Sequence, residues 1–518
     1  MIYLLVFQGG PSGETRAEGH YRMKVFHSTR STEQTVTSKQ AIRQGIAPDG
    51  GLFVTDQLAS IQVDPACLAG QTYRQTAARI LGLLLDDYTA DELDRSIRAA
   101  YGEQWSTPAI TPLTQVGDDY VLELFNGPTS AFKDVALQIL PRLMSQALPQ
   151  GDDDQRIMIL TATSGDTGKA ALSGFADTPG TGITVFYPEG KVSQVQRLQM
   201  VTQAGSNVRV CAVRGNFDDA QSAVKTIFAD RELASTLANG AGTALSSANS
   251  INVGRLVPQV VYYFHAYGSL LDQGAIKAGD PVEFFVPTGN FGDILAGYYA
   301  KMMGLPVERL TVASDRNKVL SDFLTSGVYD RNRPFYTTTS PSMDILISSN
   351  LERMLYYMSD GDTKLIASLM EDLATTGRYQ VPSGLLRRIQ SLFACGWADE
   401  DEVSAAIHDC WQDHNYLMDP HTACGYHVMN RGHRRDGIPR ILLSTASPYK
   451  FPRVVGQSLG LATQGSDFAC MDVLSDATHT QAPSNLRNLE TAKVRFTDCI
   501  DIAEMPAYVR RAAMEMNS

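Results

Sequence analysis

"VEFFVPTGNFGDILAGYYAKMMG" (Val282–Gly304) opens on a short run of β-branched and aromatic residues, breaks at a loop with two glycines, and closes on a helical pattern. Strand, glycine loop and helix form the unit of an α/β domain with a largely parallel sheet. "RIMILTATSGDTGKAAL" (Arg156–Leu172) and "RILLSTASPYKF" (Arg440–Phe451) repeat the pattern. "ITVFYP" (Ile183–Pro188) and "NVRVCAV" (Asn207–Val213) read as further strands. From about Asn317 to Arg435 the pattern turns mostly helical, with loops such as "RNRPFYTTTSPSMD" (Arg331–Asp344). There is no internal repeat and no low-complexity tract.

The 518 residues, 43% of them hydrophobic, suffice for two or three domains. A net charge of -12 and a pI near 5.3 give no electrostatic footprint for nucleic acid or an anionic membrane, so a small molecule is the expected partner. Seven cysteines without a CxxC pair fit a reducing compartment, with the cytoplasm as the default. "MIYLLVF" is too short for an export signal, and residues 1–22 read as a disordered extension ahead of a more natural start at Met23. No apolar stretch is long enough to span a membrane.

Ligands of open parallel sheets bind beyond the carboxyl ends of the strands, which directs attention to three loops. "PTGNFGD" (Pro287–Asp293) could gather backbone N–H groups on a phosphate at a helix N-terminus, or be an ordinary glycine turn. "TATSGDTG" offers hydroxyls at Thr163, Ser164 and Thr167 beside Gly165 and Gly168, suited to a carboxylate or a phosphate. A P-loop would need glycine at Thr163 and a hydroxyl at Ala170, so Lys169 reads as a solvated lysine. "STASPYKF" ends its strand in neutral hydroxyls, which would leave a pyridine nitrogen facing Thr445 unprotonated.

In "ELFNGPTSAFKDVALQ" (Glu123–Gln138) and the residues that follow it, the apolar Phe132, Val135, Ala136, Ile139, Leu140, Leu143 and Met144 fall on one helix face. Lys133 then lies in the first turn, where the positive pole disfavours a protonated amine. The cluster from His408 to His433 lacks zinc-ligand spacing, so no metal is expected, and only His421 is given a structural role near a site.

Eight ordered stretches resemble threonine synthase in its longer bacterial and fungal form, a fold type II pyridoxal phosphate family. They are "AIRQGIAPDGGLFV", "ELFNGPTSAFKDVALQ", "ATSGDTG", "SINVGRLVPQVVYY", "PTGNFGDILAG", "SPSMDIL", "YLMDPHTACGY" and "TASPYKFP". The resemblance implies two open, mostly parallel sheets flanked by helices. An N-terminal domain would cover 23–110, a large cofactor domain 111–150 and 251–518 with a helical insertion at about 317–435, and a small domain 151–250.

It further implies that pyridoxal 5'-phosphate is held covalently by Lys133, which would also move the protons. The cofactor phosphate would be cradled by Gly289, Asn290, Phe291, Gly292 and Asp293, with Thr445 at the pyridine nitrogen. Thr163, Ser164, Gly165, Asp166 and Thr167 would bind the substrate's carboxylate end, and Asn249, Ser250, Asn252 and Arg255 its phosphate. The implied reaction turns O-phospho-L-homoserine and water into L-threonine and phosphate, the last step of threonine biosynthesis, in a monomer or homodimer. A phospholyase releasing 2-oxobutyrate and a serine/threonine dehydratase are the alternatives. Three residues depart from the family pattern: Asn126 and Ser130 flank the lysine and are expected to tune substrate fit, and Cys424 brings a thiol toward the site.

Overall fold

The computed structural model describes residues 23–148, 156–163 and 165–515. The expected extension over 1–22 and Ser164 lie outside the described residues. Two sheets organise the chain. The first has six strands in the order Phe393–Trp397, Val307–Ser314, Val282–Pro287, Arg440–Ser444, Asp119–Glu123 and Leu113–Val116. All of its neighbours are parallel except the last pair, which forms an antiparallel hairpin. The second is fully parallel, in the order Cys499–Asp501, Val208–Arg214, Thr181–Pro188, Arg156–Ala162 and Thr243–Ser246.

The central strands of both sheets are apolar because helices cover both faces: every residue of Thr181–Pro188, Val282–Pro287 and Arg440–Ser444 is buried. The 20-residue helix Val253–Asp272 packs against the helices Tyr73–Leu84 and Gly292–Met302 and is buried on most of its surface, which explains its near-continuous hydrophobicity. A small antiparallel sheet, Ser31–Val36, Phe26–Ser28 and Phe53–Val54, leads the N-terminal region.

The stretch 317–435 is mostly helical, as expected, and also supplies Phe393–Trp397 as a parallel edge strand of the first sheet and a short pairing of Val328–Asp330 with Arg378–Gln380. Two expectations need correction. Residues 499–515 do not stay with the first sheet, since Cys499–Asp501 adds to the edge of the second and the helix Met505–Glu515 packs Met505, Tyr508 and Val509 on its core. The apolar face after Pro128 is carried by two short helices, Lys133–Leu137 and Leu140–Gln146, because Pro141 begins a new helix. Its apolar positions from Val135 to Met144 are nonetheless buried.

Candidate active site

The segment before Lys133 is fixed by one rung of pairing with the end of the strand Arg440–Ser444. Phe132 N–H donates to the Thr445 carbonyl at 2.8 Å, Ala131 bridges Ala446, and Ser447 N–H donates to the Ser130 carbonyl at 3.1 Å. Ser130 adopts a left-handed φ of 57°, and its hydroxyl accepts from Asn485 Nδ2 at 2.9 Å. This rung sets Lys133 beside the loop that carries Thr445 and Lys450.

Lys133 Nζ donates to Ser342 Oγ at 3.0 Å and lies 5.5 Å from the Phe132 ring centroid. Burial pushes its amine down to about 8; Asp166 opposes the fall, and Lys450 and Arg255 add to it. The amine is thereby brought closer to the neutral, nucleophilic form than a solvated lysine, though it stays mostly protonated at pH 7.

Asp166 begins the helix Asp166–Phe175 at the mouth of the second sheet. Its Oδ1 is 2.7 Å from Lys450 Nζ and accepts from Gln196 Nε2 at 3.1 Å. Burial alone would raise the carboxyl, but Lys450, Lys133 and Gln196 outweigh it and hold it well below the usual carboxylate range. Lys450 is fully buried and also donates to the Thr129 carbonyl at 3.1 Å. The site is therefore a junction: Lys133 and Lys450 come from the first sheet's side, and Asp166 and Gln196 from the second's.

The loop Thr288–Asp293 follows the central strand of the first sheet and turns through Phe291, whose φ is 62°, into the helix Gly292–Met302. A side chain at Gly289 would place its Cβ 2.7 Å from the Ser342 carbonyl oxygen, so glycine there lets the cradle and the Ser342 loop close on each other. Asn290 carbonyl accepts from Asn350 N–H at 3.1 Å, and Asn350 Nδ2 donates to the Ser250 carbonyl at 2.9 Å. The glycine loop and the turn at Asn249 and Ser250 are thus tied to one segment.

Several site expectations are redirected by geometry. Asp293 turns away from the loop, taking a 2.5 Å hydrogen bond from Tyr262 and a 3.2 Å one from Tyr263. Thr163 spends its hydroxyl inside its own turn, accepting from Gly165 N–H at 3.0 Å and Gly168 N–H at 2.9 Å. Asn252 caps the long helix and binds the Ile42 carbonyl, so it holds the N-terminal region to the core. Lys169 is not a solvated lysine; its amine donates to Gln203 Oε1 at 2.5 Å, and burial pushes it down to about 8. Asn126 pairs with Ser106 and Glu123 at the part-exposed end of its loop. Cys424 is wholly buried near Asp315 and Ser340, and burial drives its thiol well above the usual range, leaving it unreactive.

Arg255 donates from Nη1 to the Ala248 carbonyl at 2.7 Å, but its Nε is buried and has no hydrogen-bond partner among the described residues. Burial lowers its guanidinium to about 10. A buried cation with an unused donor is costly unless an anion completes it. Thr445 is buried, and Gly165 and Thr167 flank Asp166 at the start of its helix.

Ser342, Lys450, Gln196 and Asn485 went unread in the sequence. Two of them left a signal there: Ser342 lies in "SPSMDIL" and Lys450 in "TASPYKFP", both among the stretches that carry the resemblance. His421, expected near a site, accepts from Ser342 N–H at 3.1 Å.

These parts meet the needs of pyridoxal phosphate: a depressed lysine amine, a glycine cradle at a helix N-terminus, and a neutral hydroxyl on the strand end. Fold and site define a pyridoxal-phosphate-dependent enzyme, and the family of that description matches residues 108–441. The threonine synthase N-terminal family matches 25–101 and the threonine synthase C-terminal family 422–509. The chain belongs to the threonine synthase family.

The chain is 38% identical to threonine synthase of Pseudomonas aeruginosa, over 83% of this chain and 89% of that one. It is 40% identical to human threonine synthase-like 1, over 84% of this chain but only 61% of that relative's length. A crystal structure of threonine synthase from Brucella melitensis with pyridoxal phosphate bound superposes with a TM-score of 0.84 at 37% identity, covering 95% of this chain and 99% of that one.

Proposed function

We propose that the protein converts O-phospho-L-homoserine and water to L-threonine and phosphate. Arg255 is the observation that carries the phosphate-bearing substrate, because a buried guanidinium whose Nε has no partner among the described residues suits a phosphate and has no use in a dehydratase site. Ser250 and Asn249, tied to the cradle, lie on the same turn and complete that end of the substrate. Gly289, Asn290, Phe291 and Gly292 would hold the cofactor phosphate, and Thr445 would serve the ring nitrogen.

Bound at Lys133, pyridoxal phosphate supplies the electron sink for carbon acidity. Lys133 would hold the cofactor, and its amine, when free, would take and return protons at the substrate's α and β carbons. Gly165 and Thr167, at a helix N-terminus, receive the α-carboxylate. Asp166 keeps its charge through Lys450 and so balances the cations gathered in the site. Closure of the second sheet's side over the site would exclude water during the reaction. Seven free cysteines suit a reducing compartment, the cytoplasm.

The test is product analysis with added cofactor and O-phosphohomoserine, run beside Lys133→Ala. Threonine and phosphate formed in equal amounts, both lost in the variant, is the expected result. Phosphate accompanied by 2-oxobutyrate and no threonine would replace the synthase reading with a phospholyase.

A further inference from the structure

Ser342 lies in the irregular stretch between the strand Val328–Asp330 and the helix Leu351–Met358. Side chains from three distant segments hold it. Its hydroxyl accepts from Lys133 Nζ at 3.0 Å and donates toward Asp166 Oδ2 at 3.4 Å. Its backbone N–H donates to His421 Nε2 at 3.1 Å. A backbone N–H only donates, so Nε2 is the acceptor and the ring proton sits on Nδ1, where Asp419 Oδ1 receives it at 2.7 Å. Asp419 is itself immobilised: it is fully buried, accepts from His421 N–H at 2.9 Å, and takes the Thr422 hydroxyl.

The result is a continuous chain from Asp419 through His421 and Ser342 to the Lys133 amine, with each donor matched to an acceptor. Helix capping needs only Asp419. A buried imidazole is an expensive filler when an aromatic ring would pack equally well against Phe451, 5.1 Å away. What the histidine adds is a fixed position for one loop N–H, and therefore for the hydroxyl on the same residue.

We propose that Ser342 is the positioning residue of Lys133, with His421 and Asp419 setting its place. Its hydroxyl takes one N–H of the neutral amine and so aims the nitrogen lone pair. No proton is transferred to Ser342, because its own hydroxyl proton points at a carboxylate that Lys450 keeps ionised. The inference rests on Lys133 being the cofactor-bearing amine.

The experiment compares wild type with Ser342→Ala, Ser342→Thr, His421→Phe and the Ser342→Ala/His421→Phe pair. Capture of pyridoxal phosphate by the apoprotein, fixed with borohydride, is timed without substrate, and kcat and KM are then measured across pH. Ser342→Ala should capture cofactor more slowly and lose kcat by about tenfold to a hundredfold with KM within about twofold, the scale of a misaimed reacting group. Ser342→Thr should recover most of the loss. His421→Phe should match Ser342→Ala, and the pair should be no worse than either alone.

Wild-type capture rate and kcat in Ser342→Ala overturn the proposal, as does a raised KM with unchanged kcat. If Ser342→Ala does not fold, wild-type kcat in His421→Phe, or a Ser342→Thr as slow as His421→Phe, overturns it. A wild-type protein that fixes no cofactor overturns the reading of Lys133 and this proposal with it, and that outcome is seen before any variant is made.

Discussion

Asp166 and Asp293 occupy equivalent points of two turns. Each follows a buried parallel strand, each lies in the first turn of a helix, and each is only about a twentieth exposed. Asp166 meets Lys450 at 2.7 Å and stays ionised well below the usual carboxylate range. Asp293 meets only the hydroxyls of Tyr262 and Tyr263, its Oδ2 is buried without a partner among the described residues, and burial pushes it up to about 7. A helix start welcomes negative charge in both places. The difference shows that desolvation is the larger effect, and that a carboxylate escapes it only where the fold delivers a cation.

The contrast should break most visibly at Lys450. Asp166→Asn leaves that lysine buried without its counter-charge, which should cost about 3–5 kcal/mol of unfolding free energy, read by urea denaturation at pH 7. If Asp166→Asn proves as stable as wild type, the ion pair has no such role.

The pH dependences should have opposite signs. Asp166 has a depressed value, so its stabilisation is present above the unfolded carboxylate value near 4 and lost as pH falls through the folded value. Asp293 has a raised value, so its contribution is present below about 4 and lost as pH rises to about 7. Stability curves should therefore show Asp293→Asn gaining on wild type between those values and levelling above them. Asp166→Asn should close its deficit only in acid.

A smaller effect separates the glycines of the two turns. Gly165 has a φ of 150°, and a Cβ there would lie 2.4 Å from Gln196 Nε2, so Gly165→Ala should cost about 1–3 kcal/mol through strain. Gly289 meets the Ser342 backbone instead. Its alanine variant should show its main loss in the rate of cofactor capture rather than in melting temperature. Smallest of all, Cys424→Ala should cost about 1 kcal/mol and leave kcat within twofold, and iodoacetamide should not reach the native thiol.

Much of the architecture was legible because its signals are local. Val282–Pro287, its glycine turn and the following helix announce themselves within two dozen residues through hydrophobic run, turn chemistry and helical period. Lys133 was legible as a charge in the wrong place on a helix. Phe393–Trp397 and Cys499–Asp501 were not, since strands of five and three residues are too short to display a period and are defined by the neighbour they join. The partners of the Asp293 side chain were not legible because its sequence neighbours describe a phosphate loop, while the tyrosines that bond it belong to a helix some thirty residues earlier.

The sequence by itself determined the α/β class and the family, since both are written in short stretches whose backbone preferences and spacing act locally. Tertiary structure alone decided which charges survive burial and which groups surround the Lys133 amine. Ser342 reaches Lys133 across 209 residues of chain, Lys450 arrives on the loop after the strand Arg440–Ser444, and His421 fixes a loop N–H from a third segment. Desolvation and hydrogen-bond geometry depend on distances in space, and no local pattern of residues encodes them.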